Sequence, residues 1–199
     1  MMPNHGDWNE NFGYAFNARR VEILRSMVDG EQSNSCLDIG SGGTGLLRSL
    51  GLRSVSFDIA HVPDITLVAS ADSLPFRNES FSLVFAGEVI EHLYHPSQAL
   101  RDWMRVLRKN GVLILSTPNG ILVGTEGNNP GHRFAFSLNG LKASLEFLGL
   151  EVVATNTIYA AMITKRIFRL IPARLKLPLL RIYVPSPFAY DLFLKARKK

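Results

Sequence analysis

Three carboxylates stand at places where a run of strand-type residues gives out: Asp38 within Leu37-Asp38-Ile39-Gly40, Asp58 at the end of Ser54–Asp58, and Glu88 directly after Leu83–Gly87. The first is followed by a glycine-rich turn, Gly40-Ser41-Gly42-Gly43-Thr44-Gly45. Glycines at such a point let the chain turn sharply and let a ligand come close to the backbone. The spacing of Gly40, Gly42 and Gly45 satisfies the dinucleotide fingerprint. Taken alone it fits a nicotinamide enzyme, and it also fits a plain strand-to-helix turn.

The acids around the turn narrow the choice. Asp38 would repel a pyrophosphate and attract the ammonium group of an amino-acid moiety. Asp58 is placed to accept both hydroxyls of a ribose. Asp72, in Ala71-Asp72-Ser73-Leu74-Pro75-Phe76, follows a third strand and can accept the amino hydrogen of adenine; by itself it reads rather as a helix cap or surface group, and the ordered series favours the adenine contact. An adenosine joined to an amino acid is the shape of S-adenosylmethionine, and its sulfonium already carries a reactive methyl group. What such chemistry asks of a protein is mainly alignment of an acceptor atom, together with a base if the acceptor is a hydroxyl.

Candidate bases are Glu88, His92 in Glu88-Val89-Ile90-Glu91-His92-Leu93, and His132 in Gly131-His132-Arg133-Phe134-Ala135-Phe136-Ser137. Glu88 reads both as a cofactor contact and as a base. His132 is the preferred base, the plainer reading being that it pins its loop. His92 reads mainly as packing beside its helix, and His5, His61 and His95 read as surface residues. No ligand spacing along the chain suggests a metal site.

The elements that must position these groups alternate, as in a parallel sheet with crossover helices. Expected strands are Ser35–Ile39, Ser54–Asp58, Thr66–Ala69, Leu83–Gly87, Val112–Thr117 and Glu151–Thr157; expected helices are Asn17–Val28, Thr44–Leu50, Pro96–Leu107 and Ser137–Leu148. Ala99, Leu100, Trp103, Val106 and Leu107 recur at helical spacing and form a sheet-facing stripe. Ser137 is a natural N-cap, and Gly111 and Gly149 are natural stops. Pro118 to Phe136 breaks the rhythm, and a loop of that length is usually functional or mobile.

In this order the motifs resemble the class I methyltransferases of the UbiE/UbiG-like type. The resemblance rests on Leu-Asp-Ile-Gly-x-Gly, Asp58, Asp-x-Leu-Pro-Phe, Glu-Val-Ile-Glu-His-Leu and Arg105-Val106-Leu107-Arg108-Lys109-Asn110-Gly111-Val112-Leu113-Ile114, and covers about residues 34 to 159. It implies a Rossmann-like α/β sheet of seven strands with helices on both faces. The last strand, Phe188 to Arg197, would run antiparallel, with a helical insert before it. It also implies S-adenosyl-L-methionine as cofactor, met by Asp38, Gly40, Ser41, Gly42, Gly45, Asp58, Ile59, Asp72, Ser73 and Glu88. Two departures stand out: the extra glycine of Ser41-Gly42-Gly43-Thr44-Gly45, and Ser82 where the family usually carries aspartate.

The chain's 199 residues, 46% hydrophobic and 20% charged, suit a single folded domain. We divide it into an N-terminal helical cap (1–33), a cofactor-binding core (34–159), a basic insert (160–187), and a last strand with a basic tail (188–199). One cysteine, Cys36, excludes intramolecular disulfides and reads as a small buried hydrophobe. The polar first residues show no secretory signal, so the expected location is cytoplasmic.

Residues 162–199 hold ten basic residues against one acid, a net of +9, which leaves −4 on the rest of a chain whose total is +5. The charge therefore belongs to one segment. An amphipathic helix in the insert, with Ile163, Ile167, Leu170 and Ile171 on one face, would meet an anionic membrane, cover the active site or join an oligomer. Nucleic acid is disfavoured, because the insert lacks aromatics for base stacking. Two functional classes follow: transfer of a methyl group to a small-molecule or lipid-linked acceptor, at oxygen, or a non-catalytic cofactor- or partner-binding module that uses the basic insert.

Overall fold

The computed structural model describes residues 10–31, 34–42, 45–123, 131–159, 172, 174–175 and 189–199. Its strands are β1 (Cys36–Ile39), β2 (Ser54–Asp58), β3 (Leu67–Val68), β4 (Phe81–Gly87), β5 (Leu107–Pro118), β6 (Leu150–Tyr159) and β7 (Ala189–Lys198). Its helices are α1 (Glu10–Val28), α2 (Leu46–Ser49), α3 (Pro96–Val106), α4 (Gly120–Val123) and α5 (Leu138–Phe147), with one 3-10 turn at Ile90–His92.

The strands make one seven-stranded sheet in the order β3-β2-β1-β4-β5-β7-β6. The β1 pairings with β2 and β4 are parallel, as are those of β2 with β3 and β4 with β5, whereas β7 runs antiparallel to both of its neighbours. The strand order reverses between β1 and β4, and a ligand crevice in such sheets opens at the strand C-termini beside this switch point.

Strand periodicity explains why helices cover both faces. Successive residues of β4 and β5 point to opposite sides. Val84, Ala86, Leu113 and Leu115 pack with Ala99, Leu100, Trp103 and Val106 of α3 and with Leu141 and Leu145 of α5. Leu83, Phe85, Val112 and Ile114 pack instead with Ile23, Leu24 and Met27 of α1 and Leu47 of α2. The α3 stripe expected from helical spacing is therefore the buried face of that helix. Trp103 also donates from Nε1 to the Ala71 carbonyl at 2.9 Å, which ties the Asp72 segment to α3.

Several boundaries moved. α3 ends at Val106, because Leu107 turns extended and pairs with Phe81 of β4. Gly111 is thus no helix stop: it follows Asn110, which takes the left-handed turn conformation at φ 61°. An added Cβ at Gly111 would approach the Arg108 carbonyl to 2.8 Å. β3 keeps only the two residues that pair with Phe57 and Asp58 at the sheet edge. α1 begins earlier than expected, and α2 starts at Leu46 after a left-handed Gly45. Within the irregular stretch after β5, a short helix forms at Gly120–Val123.

The Ser137 cap is present and accepts from the Gly140 amide, and Gly149 stops α5 at φ 85°. Cys36 is buried, and burial raises its thiol to about 11. The basic insert expected at 160–187 lies outside the described residues except for 172, 174 and 175, as do Gly43, Thr44 and His5. In β7 part of the C-terminal positive charge is structural, since Lys195 and Arg197 each pair with Glu31 at 2.7 Å. Among the described residues no helix is long and apolar enough to cross a membrane.

Candidate functional site

Asp38 points to the α2 side of β1, where its carboxylate accepts from the Leu47 amide. It is 1% exposed and its Oδ2 accepts no hydrogen bond. Burial pushes the carboxyl up to about 7, against the opposing pull of the Leu47 amide and Arg48. A buried oxygen with no donor is costly, and an incoming ammonium group would supply one.

Gly40 has a packing reason for being glycine. Its φ is 63°, and an added Cβ would lie 2.5 Å from Cγ2 of Val89. The glycine turn and the Glu88–His92 segment are therefore in direct contact. Ser41 is buried and donates its amide to the Phe57 carbonyl at 3.0 Å, holding β1 to β2. Asp58 shapes the same turn: Oδ2 accepts from the Gly42 amide at 3.0 Å and Oδ1 from the Ala60 amide at 3.1 Å. Each oxygen keeps a further lone pair, which suits a vicinal diol.

Beside Asp58, Ile59 is 76% exposed, an apolar surface at the crevice that fits a nucleoside base. Asp72 carries a second orphan, Oδ1, buried with no hydrogen-bond partner. Ser73 closes the local turn through its amide to the Ser70 carbonyl. Along the strand ends, then, the residues fit S-adenosylmethionine: an orphaned acid for the ammonium, a diol acceptor, an apolar plate and a second orphaned acid.

Beyond β4 the site becomes a charged network. Glu88 adopts φ 58°, a conformation unfavourable for a residue with a side chain and found where function holds it. Its amide donates to the Ser116 carbonyl at 3.0 Å. Its Oε1 pairs with Arg20 Nη2 at 3.0 Å and accepts from Ser116 Oγ at 3.2 Å. Arg20 also faces Asp191, whose carboxylate is fully buried and accepts no hydrogen bond, at 3.7 Å. Glu91 is buried and accepts from Thr117 Oγ1 at 3.0 Å. Burial, and then the Glu88 charge, raises the carboxyls of both Glu91 and Asp191 well above the ordinary range.

The fold brings His132 to His92. Two amides of the distant loop, those of Arg133 and Phe134, donate to the Glu91 carbonyl at 2.7 and 3.2 Å. The His92 ring meets the His132 ring edge-on at 4.8 Å between centroids and contacts the Gly131 carbonyl at 2.9 Å. Arg133 lies over the Tyr94 ring at 3.6 Å. Burial, then the neighbouring His92, lowers the His132 pKa, so near neutral pH the imidazole is uncharged. His61 and His95 are exposed.

Ser82, the departure from the family pattern, lies at the opposite end of β4, where it exchanges hydrogen bonds with Ser35. Sequence reasoning missed Arg20, Asp191 and Thr117. Asp191 carried a signal, an acid beside the apolar run Leu192-Phe193-Leu194; Arg20 carried none. Glu91 stood inside a quoted motif without being assigned a role.

This arrangement is that of a Rossmann-like methyltransferase fold. Residues 37–115 match the methyltransferase domain family. It is 31% identical over 135 residues to a protein of Mycolicibacterium smegmatis named a probable S-adenosylmethionine-dependent methyltransferase, covering 60% of this chain and 52% of that one. The chain thus spans about half the length of that relative.

Among solved structures, a SAM-dependent methyltransferase of Thermotoga maritima superposes with a TM-score of 0.71 at 16% identity, over 96% of this chain and 93% of that one. A Burkholderia thailandensis 1,6-didemethyltoxoflavin-N1-methyltransferase, solved with its substrate and S-adenosylhomocysteine, gives 0.63 at 15% identity, over 93% and 78%. At such identities these structures speak to the fold.

One consequence concerns Asp38. Its raised pKa means that the folded chain holds this proton more tightly than the unfolded chain. Stability is therefore full below the ordinary value of 3.8 and is lost as pH rises through about 7. Asp38→Asn keeps an acceptor for the Leu47 amide and removes the charge. The ligand-free variant should melt higher than wild type at about pH 8 and the same at about pH 4. Its affinity for S-adenosylmethionine should fall about 10–100-fold, the size of a lost hydrogen bond between charged groups. Calorimetric titration beside thermal melts reads both, and unaltered affinity would remove Asp38 from the ammonium site.

Proposed function

We propose that this chain transfers the methyl group of S-adenosylmethionine to a hydroxyl oxygen of a small-molecule or lipid-linked acceptor. The observation that carries the reading is the His92–His132 pair beside buried Glu91, on the turn that Val89 packs against the glycine loop. Bound S-adenosylmethionine would supply a methyl group on a sulfonium, which needs no further activation.

Asp38 would hold the ammonium, Asp58 the ribose diol, and Asp72 with Ile59 the adenine. With an acceptor hydroxyl aligned on that methyl group, the uncharged His132 imidazole would take the hydroxyl proton. An amine acceptor, neutral at nitrogen, would have less use for such a group. The six basic residues of 162–187, with no acid among them, support an anionic carrier or membrane surface as the acceptor's source.

The test is turnover with isotopically labelled methyl donor against panels of hydroxyl, amine and thiol acceptors, the hydroxyl panel including lipid-linked phenols. Label recovered as a methyl ether supports the reading. Label recovered only as methylamine or thioether overturns the oxygen assignment, and no transfer to any panel by a chain that binds the donor favours the non-catalytic module.

A further inference from the structure

His92 and Glu91 turn bare acceptor atoms toward one another. His92 Nδ1 stands 2.9 Å from the Gly131 carbonyl oxygen. A carbonyl only accepts, so Nδ1 carries the ring hydrogen and Nε2 keeps its lone pair. That Nε2 faces Glu91 Oε1 at 3.9 Å, and Oε1 is buried without a hydrogen bond while Oε2 is occupied by Thr117. The two atoms face each other across a gap that a proton or a cation would bridge.

His132 supplies a third donor: one ligand atom from each of Glu91, His92 and His132 lies within 4.8 Å of the others. Nearby, Glu88 and Asp191 face the guanidinium of Arg20 at 3.0 and 3.7 Å.

We propose that Glu91, His92 and His132 form a site for a divalent first-row cation, with two imidazole nitrogens and one carboxylate oxygen as ligands. This donor set suits Zn²⁺, Mn²⁺, Fe²⁺ or Co²⁺ better than a Mg²⁺ or Ca²⁺ cage of oxygens. Ligands bonded to one such ion at about 2.0–2.2 Å lie at most about 4.4 Å apart, so the three close onto it with small side-chain rotations. The bond from His92 to the Gly131 carbonyl is the outer support that metal-binding histidines use to fix ring and tautomer. The ligands come from a turn and a loop forty residues away, which is why chain spacing did not show them.

Binding of the ion stands by itself, and only its catalytic consequence rests on the hydroxyl reading above. An acceptor hydroxyl that takes an open position on the cation becomes more acidic. Its proton would leave to solvent, the oxygen would bond to the methyl carbon as the carbon–sulfur bond breaks to leave the neutral thioether, and no change of oxidation state is needed. His132 then serves as a ligand in place of a base.

Chelator-stripped, desalted protein should be titrated with Mn²⁺ and Zn²⁺ by calorimetry, and with Co²⁺ by visible absorption. We expect one equivalent bound at micromolar affinity or tighter. His92→Ala, His132→Ala and the milder His132→Gln and Glu91→Gln should each weaken it at least tenfold, with S-adenosylmethionine affinity and circular dichroism unchanged. No saturable binding by a chain that still binds S-adenosylmethionine overturns the site, and so does undiminished affinity in both His132 variants. Ion binding accompanied only by methylamine formation keeps the site and removes the hydroxyl reading. Methyl-ether formation at full rate in stripped protein overturns the catalytic consequence.

Discussion

His132→Ala should lower kcat for a hydroxyl acceptor by about 10²–10⁴-fold, the range expected when a group that handles the acceptor proton is removed. Affinity for S-adenosylmethionine should stay within about twofold, because the acids proposed to meet the cofactor lie on β1, β2 and the Asp72 segment. The loss is expected whether the imidazole takes the proton itself or holds an ion that acidifies the hydroxyl. A merely loop-pinning histidine predicts something else: a lower melting temperature and a raised KM with kcat little changed. The loop has its own anchors in the Arg133 and Phe134 amides on the Glu91 carbonyl, so its position should survive the substitution. Steady-state kinetics with both substrates varied separates the two results, and a kcat within threefold of wild type would take His132 out of the chemistry.

Replacing Arg20 by Met should destabilise the protein by about 3–5 kcal/mol, as happens when one partner of a buried charge network is deleted. Arg20 answers Glu88 at 3.0 Å and Asp191 at 3.7 Å, and Asp191 has no hydrogen bond to fall back on. The sign of the pH dependence follows from the raised Asp191 and Glu91 carboxyls. Groups whose folded pKa lies above the unfolded value stabilise below that unfolded value and lose the contribution as pH rises through the folded one. Without the guanidinium that rise is steeper, so the variant's deficit should be larger at about pH 8.5 than at about pH 5. Urea denaturation at the two pH values measures it. Asp191→Asn added to Arg20→Met should recover part of the loss, since it removes the charge that Arg20 answered. A deficit below about 1 kcal/mol at both pH values would show that the network is not closed against water.

What the chain determined alone was whatever depends on near neighbours in sequence. Apolar runs punctuated by glycine set the strands that end at Asp38 and Asp58, helical spacing set the buried stripe of α3, and Ser137 marked the start of α5. Because strand C-termini form one edge of a parallel sheet, the acids at those ends could be assembled on paper into a cofactor crevice. The order of the quoted motifs carried the resemblance to methyltransferases. Contacts made across the chain were another matter.

Only the tertiary structure placed Arg20 against Glu88 and Asp191. An arginine on a helix is ordinarily solvated, and its burial follows from α1 lying on the face that β4, β5 and β7 share. Asp191 became buried when β7 inserted between β5 and β6, a topological event that strand alternation does not encode. Gly40 read as a place for ligand to approach, and only the fold shows that Val89 takes the space a Cβ would fill there. His92 and His132 are forty residues apart in sequence, and backbone hydrogen bonds to the Glu91 carbonyl bring them into contact. Periodicity and capping are local properties, so they are legible in order along the chain. The meeting of two imidazoles and a buried carboxylate depends on where a loop docks, and docking is decided by hydrogen-bond partners that only the assembled sheet presents.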